Sequence, residues 1–217
     1  AIPLFSGITV TDADDTDIVS ASVSIDALGF LSGDTLHFTD QSGITGSYDG
    51  ATGLLTLTGT ATLANYQTAL RSITFSSTSD DPTDNASATT RTLSWQVTDA
   101  NSDAAGAATS VLATSTLNLT PLPDAPVITP TGALTYTENV GATIVDSTIT
   151  VTDVDDTLIT GGSIRITSNF LAGDVLAVTD SGSITSSYDP GTGFLTLSGT
   201  DTKAHYQTVL RSLSYLN

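Results

Sequence analysis

The sequence predicts an all-β protein built from tandem β-sandwiches, each with one short helix. Ser, Thr, Gly and aliphatic residues dominate the chain, whereas Glu, Lys, Gln and Arg, which favour helices, are scarce. Short β-branched or alternating segments are bounded by Gly, Asp and Ser, as is typical of strands and tight turns. A long stretch of sequence also occurs twice, which is typical of repeat proteins.

The repetition is strongest in the middle of each copy. Thr11–Asp15 recurs 141 positions later as Thr152–Asp156, and Gly33–Ser77 matches Gly173–Asn217 at 25 of 45 positions. The spacing changes from 141 to 140 between Ile25 and Phe30, so one residue was gained or lost there. Such agreement is far above chance and indicates two copies of one structural unit.

The copies define the expected domain organisation. We expect repeat 1 at residues 1–120, a linker at 121–126 and repeat 2 at 127–217. The linker has three prolines in six residues, which predicts a rigid connection. Repeat 1 has no match for Pro126–Gly141 and should lack its first strand; repeat 2 has no match for Thr78–Pro121 and should lack its C-terminal strands. Further copies in both directions are one expectation, and a two-domain protein is the alternative.

Seven strands are predicted in repeat 1, which for about 120 residues favours a β-sandwich. They are Ile8–Thr11, Ala21–Ile25, Thr35–Thr39, Leu54–Thr58, Ser72–Ser76, Thr90–Thr98 and Ser110–Leu119. In repeat 2, Val127–Thr137 is predicted to form the first strand.

One segment departs from the strand pattern. Thr62–Leu70 places apolar residues at helical spacing, and Thr62 is a suitable N-cap. We predict a short helix here that closes the sandwich. Tyr66 and its counterpart Tyr206 are predicted to be buried core residues.

The charge balance excludes several classes of partner. The chain has 23 acidic and 5 basic residues, for a net charge of −18. Nucleic acid is therefore not an expected partner, because phosphate binding needs clustered Lys and Arg. No run of 18 apolar residues is present, so no membrane insertion is expected. Cations are the expected partners, and without cysteine a small domain cannot be stabilised by disulfides.

The acidic residues also form a repeated motif. Asp-x-Asp-Asp ends an early predicted strand in both copies, at Asp12–Asp15 and Asp153–Asp156. Adjacent carboxylates repel one another and recruit cations, and loops of oxygen ligands suit Ca²⁺. Zn²⁺ is disfavoured because cysteine is absent and His37 and His205 stand alone. The alternative is an acidic turn in which Asp side chains accept hydrogen bonds from nearby backbone amides.

Several segments carry a family resemblance. Asp124–Val127, Tyr136–Asn139 and Val151–Asp156 together resemble the boundary between two cadherin repeats. The whole unit is more closely similar to the cadherin-like repeats of giant bacterial RTX-type adhesins, through Tyr66–Ser72 and Arg91–Asp99. The resemblance implies tandem Ig-like or cadherin-like β-sandwiches in a linear array, with Ca²⁺ bound where repeats meet.

The resemblance also implies a set of calcium ligands. At the start of repeat 2 these are Asp124, Glu138, Asp153 and Asp155, with Asp156 as an additional acid. In repeat 1 the matching residues are Asp12, Asp14 and Asp15 in the loop and Asp99 at the end of a late strand. The linker lacks the Asn-Asp pair of cadherins, which leaves the number of ions per junction open.

The expected function is therefore non-catalytic. We expect a Ca²⁺-rigidified extracellular stalk of a bacterial adhesin, which contacts neighbouring repeats and supports cell adhesion or biofilm cohesion. An enzyme is not expected, because neither histidine lies in a recognisable nucleophile motif. Two alternatives remain: a subunit of a self-assembling extracellular filament or surface layer, which would bind copies of itself, and a carbohydrate-binding module.

Overall fold

A computed structural model describes residues 2–101, 104 and 106–217. The chain forms two compact units, the first ending at Pro121 and the second running from Leu122 to Asn217. The described residues form antiparallel β-sheets with one 9-residue helix in each unit. The prediction of an all-β fold with a short helix per repeat is confirmed.

The first unit is a two-layer sandwich. Its elements are β1 (Ile2–Pro3), β2 (Asp17–Ile25), β3 (Asp34–His37), β4 (Thr45–Asp49), β5 (Leu54–Thr62), α1 (Leu63–Arg71), β6 (Thr74–Ser77), β7 (Thr90–Asp99) and β8 (Ala113–Asn118). One sheet has the order β4-β5-β2-β7-β8 and the other β1-β6-β3. Val23 and Leu57 of the larger sheet and Leu36 and Phe75 of the smaller one share a single buried cluster, so the core lies between the sheets.

The second unit also has eight described strands, but they form three smaller sheets. Its elements are β9 (Val127–Thr129), β10 (Thr143–Ile144), β11 (Thr150–Thr152), β12 (Leu158–Arg165), β13 (Val175–Ala177), β14 (Thr185–Asp189), β15 (Phe194–Thr202), α2 (Lys203–Arg211) and β16 (Ser214–Leu216). The sheets have the orders β12-β15-β14, β10-β16-β13 and β11-β9. Ile184, Leu195 and Leu197 form the core with residues of α2.

The helix follows from local sequence chemistry. The Thr62 hydroxyl accepts a hydrogen bond from the Asn65 N–H at 3.3 Å, as an N-cap should. Tyr66 is fully buried, and its hydroxyl donates to the Gly59 carbonyl at 2.7 Å. Tyr206 is buried in the same way in the second unit. The predicted helix, its cap and both tyrosine anchors are confirmed.

The predicted strand at Ile8–Thr11 is wrong. Its counterpart in the second unit is β11, which pairs antiparallel with β9. Among the described residues of the first unit, no strand pairs with Ile8–Thr11. Side chains of α1 hold this segment instead: Arg71 Nε donates to the Ile8 carbonyl at 2.8 Å, and Gln67 Oε1 accepts from the Val10 N–H at 3.2 Å.

The predicted strand Val127–Thr137 is also mostly wrong, because only Val127–Thr129 pairs with a neighbour. Pro130 follows at once and has no N–H to donate to a ladder. Beyond it, the backbone N–H groups of Thr131 and Gly132 donate to the Asp146 side chain. The chain therefore leaves the sheet before it reaches Glu138.

A buried ion pair links the two layers of the first unit. Arg91 Nε of β7 lies 2.5 Å from Asp34 Oδ2 of β3, and both side chains are fully buried. The remaining guanidinium N–H groups donate to backbone carbonyls of Pro82, Ala88 and Thr90. Arg91 is thus held by one carboxylate and three carbonyls, which offsets much of its desolvation cost.

Gly59 marks a close approach between β5 and the turn before β4. Its φ is +130°, and a Cβ there would lie 2.2 Å from the Gly43 carbonyl oxygen. We predict that Gly59→Ala destabilises the first unit by roughly 2 kcal/mol or more, through backbone strain and this overlap. Urea unfolding measures the change. Gly7→Ala is the control, because a Cβ added at Gly7 would have no atom within 4 Å; equal stability of both variants would contradict the prediction.

Candidate metal centre

Three aspartates after β11 bring their carboxylates together. Asp153, Asp155 and Asp156 each offer one oxygen, and these oxygens lie within 4.8 Å of one another. Asp153 Oδ1 accepts hydrogen bonds from the N–H groups of Asp155 at 3.2 Å and Asp156 at 2.8 Å. The first aspartate therefore builds the turn that gathers the other two, an arrangement common for Asp in loops.

Two oxygens of this cluster are not satisfied by the protein. Asp153 Oδ2 and Asp155 Oδ1 are buried and have no hydrogen-bond partner in the described part of the chain. A buried carboxylate oxygen without a partner is costly. Oxygens of this type are what Ca²⁺ takes as ligands, usually six to eight at a time. The residues present therefore fit a hard cation.

The surroundings favour the ionised form of Asp153. The hydrogen bond from the Asp156 N–H is the largest influence that holds the pKa of Asp153 below its usual range, and the nearby Lys203 ammonium acts in the same direction. Lys203 Nζ itself donates to the Asp153 backbone carbonyl at 2.7 Å. Asp155 is tied to the start of the unit, because its Oδ2 accepts from the Asp124 N–H at 2.9 Å.

The first unit repeats the arrangement. Asp12, Asp14 and Asp15 likewise offer oxygens within 4.8 Å of one another. Asp12 Oδ1 accepts from the N–H groups of Asp14 at 3.2 Å and Asp15 at 3.0 Å, and the Asp15 bond is the main cause of the lowered pKa of Asp12. Asp15 is only 6% exposed. Both copies of the sequence motif thus fold into the same acidic loop.

Asp99 does not join the loop of its unit. It ends β7 and is buried, with Oδ1 accepting from the Asn101 N–H at 3.1 Å and Oδ2 from the Ala108 N–H at 2.8 Å. Both of its oxygens therefore organise the backbone that follows β7. These contacts agree with the turn-capping alternative, and metal ligation by Asp99 stays a prediction.

Glu138 also lies apart from the loop of its unit. It is exposed in a turn next to Tyr136, whose hydroxyl donates to the Val140 carbonyl at 2.6 Å and accepts from the Asn217 N–H at 3.3 Å. This places Glu138 near the end of β16, whereas Asp153 lies beside Lys203 at the start of α2. Glu138 is not among the clustered carboxylates of the described residues, and its role as a metal ligand stays a prediction.

Sequence reasoning missed a buried carboxylate of another kind. Asp146 Oδ2 accepts from the N–H groups of Thr131 at 2.8 Å and Gly132 at 2.9 Å, and Oδ1 accepts from the Thr148 N–H and hydroxyl. The Thr148 hydroxyl is the largest influence holding the pKa of Asp146 well below its usual range. Unlike Asp153, this carboxylate is fully used within the protein. The equivalent position of the first unit is Phe5, so the repeat gave no signal for it.

A polar cluster on the second unit was missed as well. Asp201 Oδ1 lies 2.6 Å from His205 Nδ1, and its Oδ2 accepts from the Ser183 N–H at 2.9 Å and hydroxyl at 3.1 Å. Ser183 donates to the acid and not to the histidine, so the histidine is not placed as its general base. The available signal was that all three positions differ between the copies. Their equivalents in the first unit are Gly43, Ala61 and Asn65, which cannot form such a cluster.

Comparison with known proteins gives one informative similarity. Halomucin from Haloquadratum walsbyi is 39% identical to this chain over 108 residues, which is 47% of this chain but 1% of halomucin. The chain thus spans only a very small part of the length of halomucin. No family model matches the chain, and no solved structure matches it. Membership of the cadherin-like or RTX-adhesin families stays a prediction.

The length and composition of the two helices were compared with those of membrane-spanning helices. Among the described residues, neither helix is long and apolar enough to span a bilayer. Both α1 and α2 have 9 residues, about half of what a membrane-spanning helix needs.

Asp146 makes the second unit sensitive to acid. A carboxyl group whose pKa is lowered by folding stabilises the fold above its unfolded pKa, near 3.8, and that contribution is lost as the pH falls. We predict that Asp146→Asn lowers the unfolding free energy at neutral pH and flattens its pH dependence below about pH 4. Urea titrations across that range measure this. The exposed Asp180 provides the control variant, Asp180→Asn; a parent-like slope in Asp146→Asn would refute the assignment.

Proposed function

We propose that this chain is a non-catalytic repeat segment of an extracellular surface protein, a spacer whose sandwich units are stiffened by Ca²⁺. The observation that carries the proposal is the loop Asp153–Asp156, where two buried carboxylate oxygens have no partner among the described residues. The same loop recurs as Asp12–Asp15 in the first unit. A repeated site of this kind suits a protein that binds one ion type many times along its length.

Calcium is the cation that these loops suit best. The donors are carboxylate oxygens, and cysteine is absent from the chain. Asp155, Asp153 and Asp156 would hold the ion, with water or backbone carbonyls completing the 6 to 8 oxygens that Ca²⁺ takes. In the first unit Asp12, Asp14 and Asp15 would have the same role.

Stiffening would come from the hydrogen bond between the acidic loop and Asp124. The Asp124 N–H donates to Asp155 Oδ2, so the Asp155 side chain connects the loop to the proline-rich segment at the start of the second unit. An ion bound to the other oxygen of Asp155 would fix this side chain and, through it, the backbone at Asp124. Calcium would thereby reduce the freedom of the segment through which the second unit is attached.

The overall charge gives calcium a second effect. A net charge of −18 on 217 residues destabilises the compact state through self-repulsion. Each bound Ca²⁺ would cancel two negative charges where three carboxylates meet. Binding to the folded state alone also stabilises it by mass action. The chain would be stiffest in calcium-rich extracellular surroundings.

The similarity to halomucin supports the surface location at a coarse level. Halomucin comes from an archaeon, so a bacterial source stays a prediction, as do roles in adhesion and biofilm cohesion. The internal duplication supports a spacer, since repeated sandwiches add length without adding new chemistry.

The alternatives receive less support. A carbohydrate-binding module needs exposed aromatic rings on which sugars stack, whereas every aromatic side chain of this chain is buried or half-buried. Trp95, for example, is 9% exposed, packs edge-to-face on Phe5 and donates from Nε1 to Ser115 Oγ at 2.7 Å. The arrangement of Ser183, Asp201 and His205 likewise favours a structural role over catalysis.

Thermal unfolding tests the calcium proposal. We predict that the melting temperature of the chain is higher in millimolar Ca²⁺ than in chelator. When Ca²⁺ is 100-fold above its Kd, one bound ion adds about 2.7 kcal/mol to the free energy of unfolding. The paired variant Asp153→Asn, Asp155→Asn should lose the part of this gain that belongs to the second unit. Calorimetry in buffers of equal ionic strength measures both effects.

Two controls separate binding from charge screening. Asp180→Asn, Asp189→Asn removes the same charge from exposed positions of the second unit and should keep the full calcium response. Sodium chloride at matched ionic strength should not reproduce the gain. An identical melting temperature in Ca²⁺ and chelator, for the parent protein, would rule the proposal out.

A further inference from the structure

The helix of the second unit holds the segment that leads into the acidic loop. Three side chains of α2, spaced four residues apart, form hydrogen bonds to the backbone of alternate residues of that segment. The pairs are Arg211 with Ile149, Gln207 with Val151 and Lys203 with Asp153. Residues four apart lie on one face of a helix. The row therefore reaches the acidic loop at its last member, Lys203.

The first unit has the same row without this last contact. Its glutamine and arginine form the equivalent hydrogen bonds, but the residue that corresponds to Lys203 is Leu63, which packs against the core. The Leu63 N–H donates to the Thr16 carbonyl at 3.3 Å, as the Lys203 N–H does to the Thr157 carbonyl at 3.3 Å. The position thus lies beside the end of the acidic loop in both units, and the units differ there by one positive charge.

The helix itself does not favour a lysine at this position. Lys203 is the first residue of α2, where the positive end of the helix dipole disfavours a cation. Its ammonium donates to the Asp153 carbonyl at 2.7 Å and forms no ion pair with a carboxylate of the described residues. The charge is therefore held beside the loop, while the carboxylate oxygens stay open to an ion.

We propose that Lys203 is a built-in counter-ion that lowers the calcium affinity of the acidic loop of the second unit, and that Leu63 leaves the loop of the first unit without this restraint. The inference rests on the proposed function, because it concerns the same loops. The ammonium repels an incoming Ca²⁺ and partly balances the three carboxylates before the ion arrives. Calcium affinity of oxygen sites depends on the charge of the ligand set.

The hydrogen bond of Lys203 acts in the opposite direction, because a pre-organised loop binds an ion more tightly. Its influence is the smaller one here. The turn is already built by the two N–H groups that donate to Asp153 Oδ1, and the Asp124 N–H holds Asp155 Oδ2. The charge therefore decides the sign, and removal of Lys203 should raise the calcium affinity.

Calcium calorimetry on the full chain tests this inference. The substitutions Asp12→Asn and Asp14→Asn silence the loop of the first unit, so that the second can be measured. In this background we expect Lys203→Leu to lower the Kd for Ca²⁺ about tenfold, since a divalent ion and a unit charge several ångströms apart near a protein surface interact by about that much. Lys203→Gln keeps an N–H donor and should have the same effect, whereas Lys203→Arg keeps the charge and should bind like the background.

Salt distinguishes charge from packing. The gain in affinity for Lys203→Leu should shrink as NaCl is raised, because mobile ions screen charges and leave apolar contacts intact. A gain that stays constant with NaCl would assign the effect to packing and overturn the inference.

The reciprocal change is made in the first unit, with the second loop silenced by Asp153→Asn and Asp155→Asn. Leu63→Lys should raise the Kd of the remaining loop about tenfold. Leu63→Gln controls for lost packing, and Thr68→Lys adds the same charge at an exposed position on another face of α1; both should bind like the background.

The outcomes separate this inference from the proposed function. Equal or weaker calcium binding by Lys203→Leu, in a background that does bind Ca²⁺, would overturn the role of Lys203 alone. A parent chain that takes up no Ca²⁺ at either loop would overturn both.

Discussion

Hydrogen bonding between neighbouring strands is the interaction on which both units depend, and its availability explains how they differ. Ile8–Thr11 and Thr150–Thr152 carry equivalent sequences, but only the second is a strand, because β9 pairs with it. In the same way β2 pairs with β5 and β7, whereas within the described residues β12 pairs with β15. Side-chain burial changes together with strand pairing: Val23 is fully buried, and its equivalent Ile164 is half-buried. Identical local preferences thus give different structures when the neighbouring strand changes.

The aspartates divide into three groups by what satisfies their oxygens. Asp34 is paired with a buried arginine through Oδ2, and its buried Oδ1 has no hydrogen-bond partner in the described chain. Asp99 and Asp146 accept backbone N–H groups on both oxygens and organise the chain around them. Asp153 and Asp155 use one oxygen each and leave the other buried without a partner in the described chain. The calcium proposal therefore rests on two specific oxygens, and the large net charge only adds to it.

What the sequence could predict was local. Strand and turn composition predicted the β-fold, and helical spacing after an N-cap threonine predicted α1. The errors concern contacts between distant segments. The Arg91–Asp34 pair spans 57 residues and leaves no mark in the local pattern. The cadherin resemblance implied Glu138 as a ligand of the acidic loop. The strand predicted at Val127–Thr137 pairs only at Val127–Thr129, and Pro130 was the available signal that it ends early.

The positions at which the two copies agree bear on function. Ile44, Leu57 and Tyr66 are buried and have identical counterparts in Ile184, Leu197 and Tyr206, as core packing requires. Surface positions such as Asn65 and His205 differ freely. Some exposed positions nevertheless agree: Asp12 and Asp14 are matched by Asp153 and Asp155, and Asp49 is matched by Asp189. Packing does not require aspartate at an exposed position. Asp12 and Asp153 each accept two backbone N–H groups, which accounts for the first aspartate of both loops, and the proposed cation-binding role would account for the aspartates that follow it.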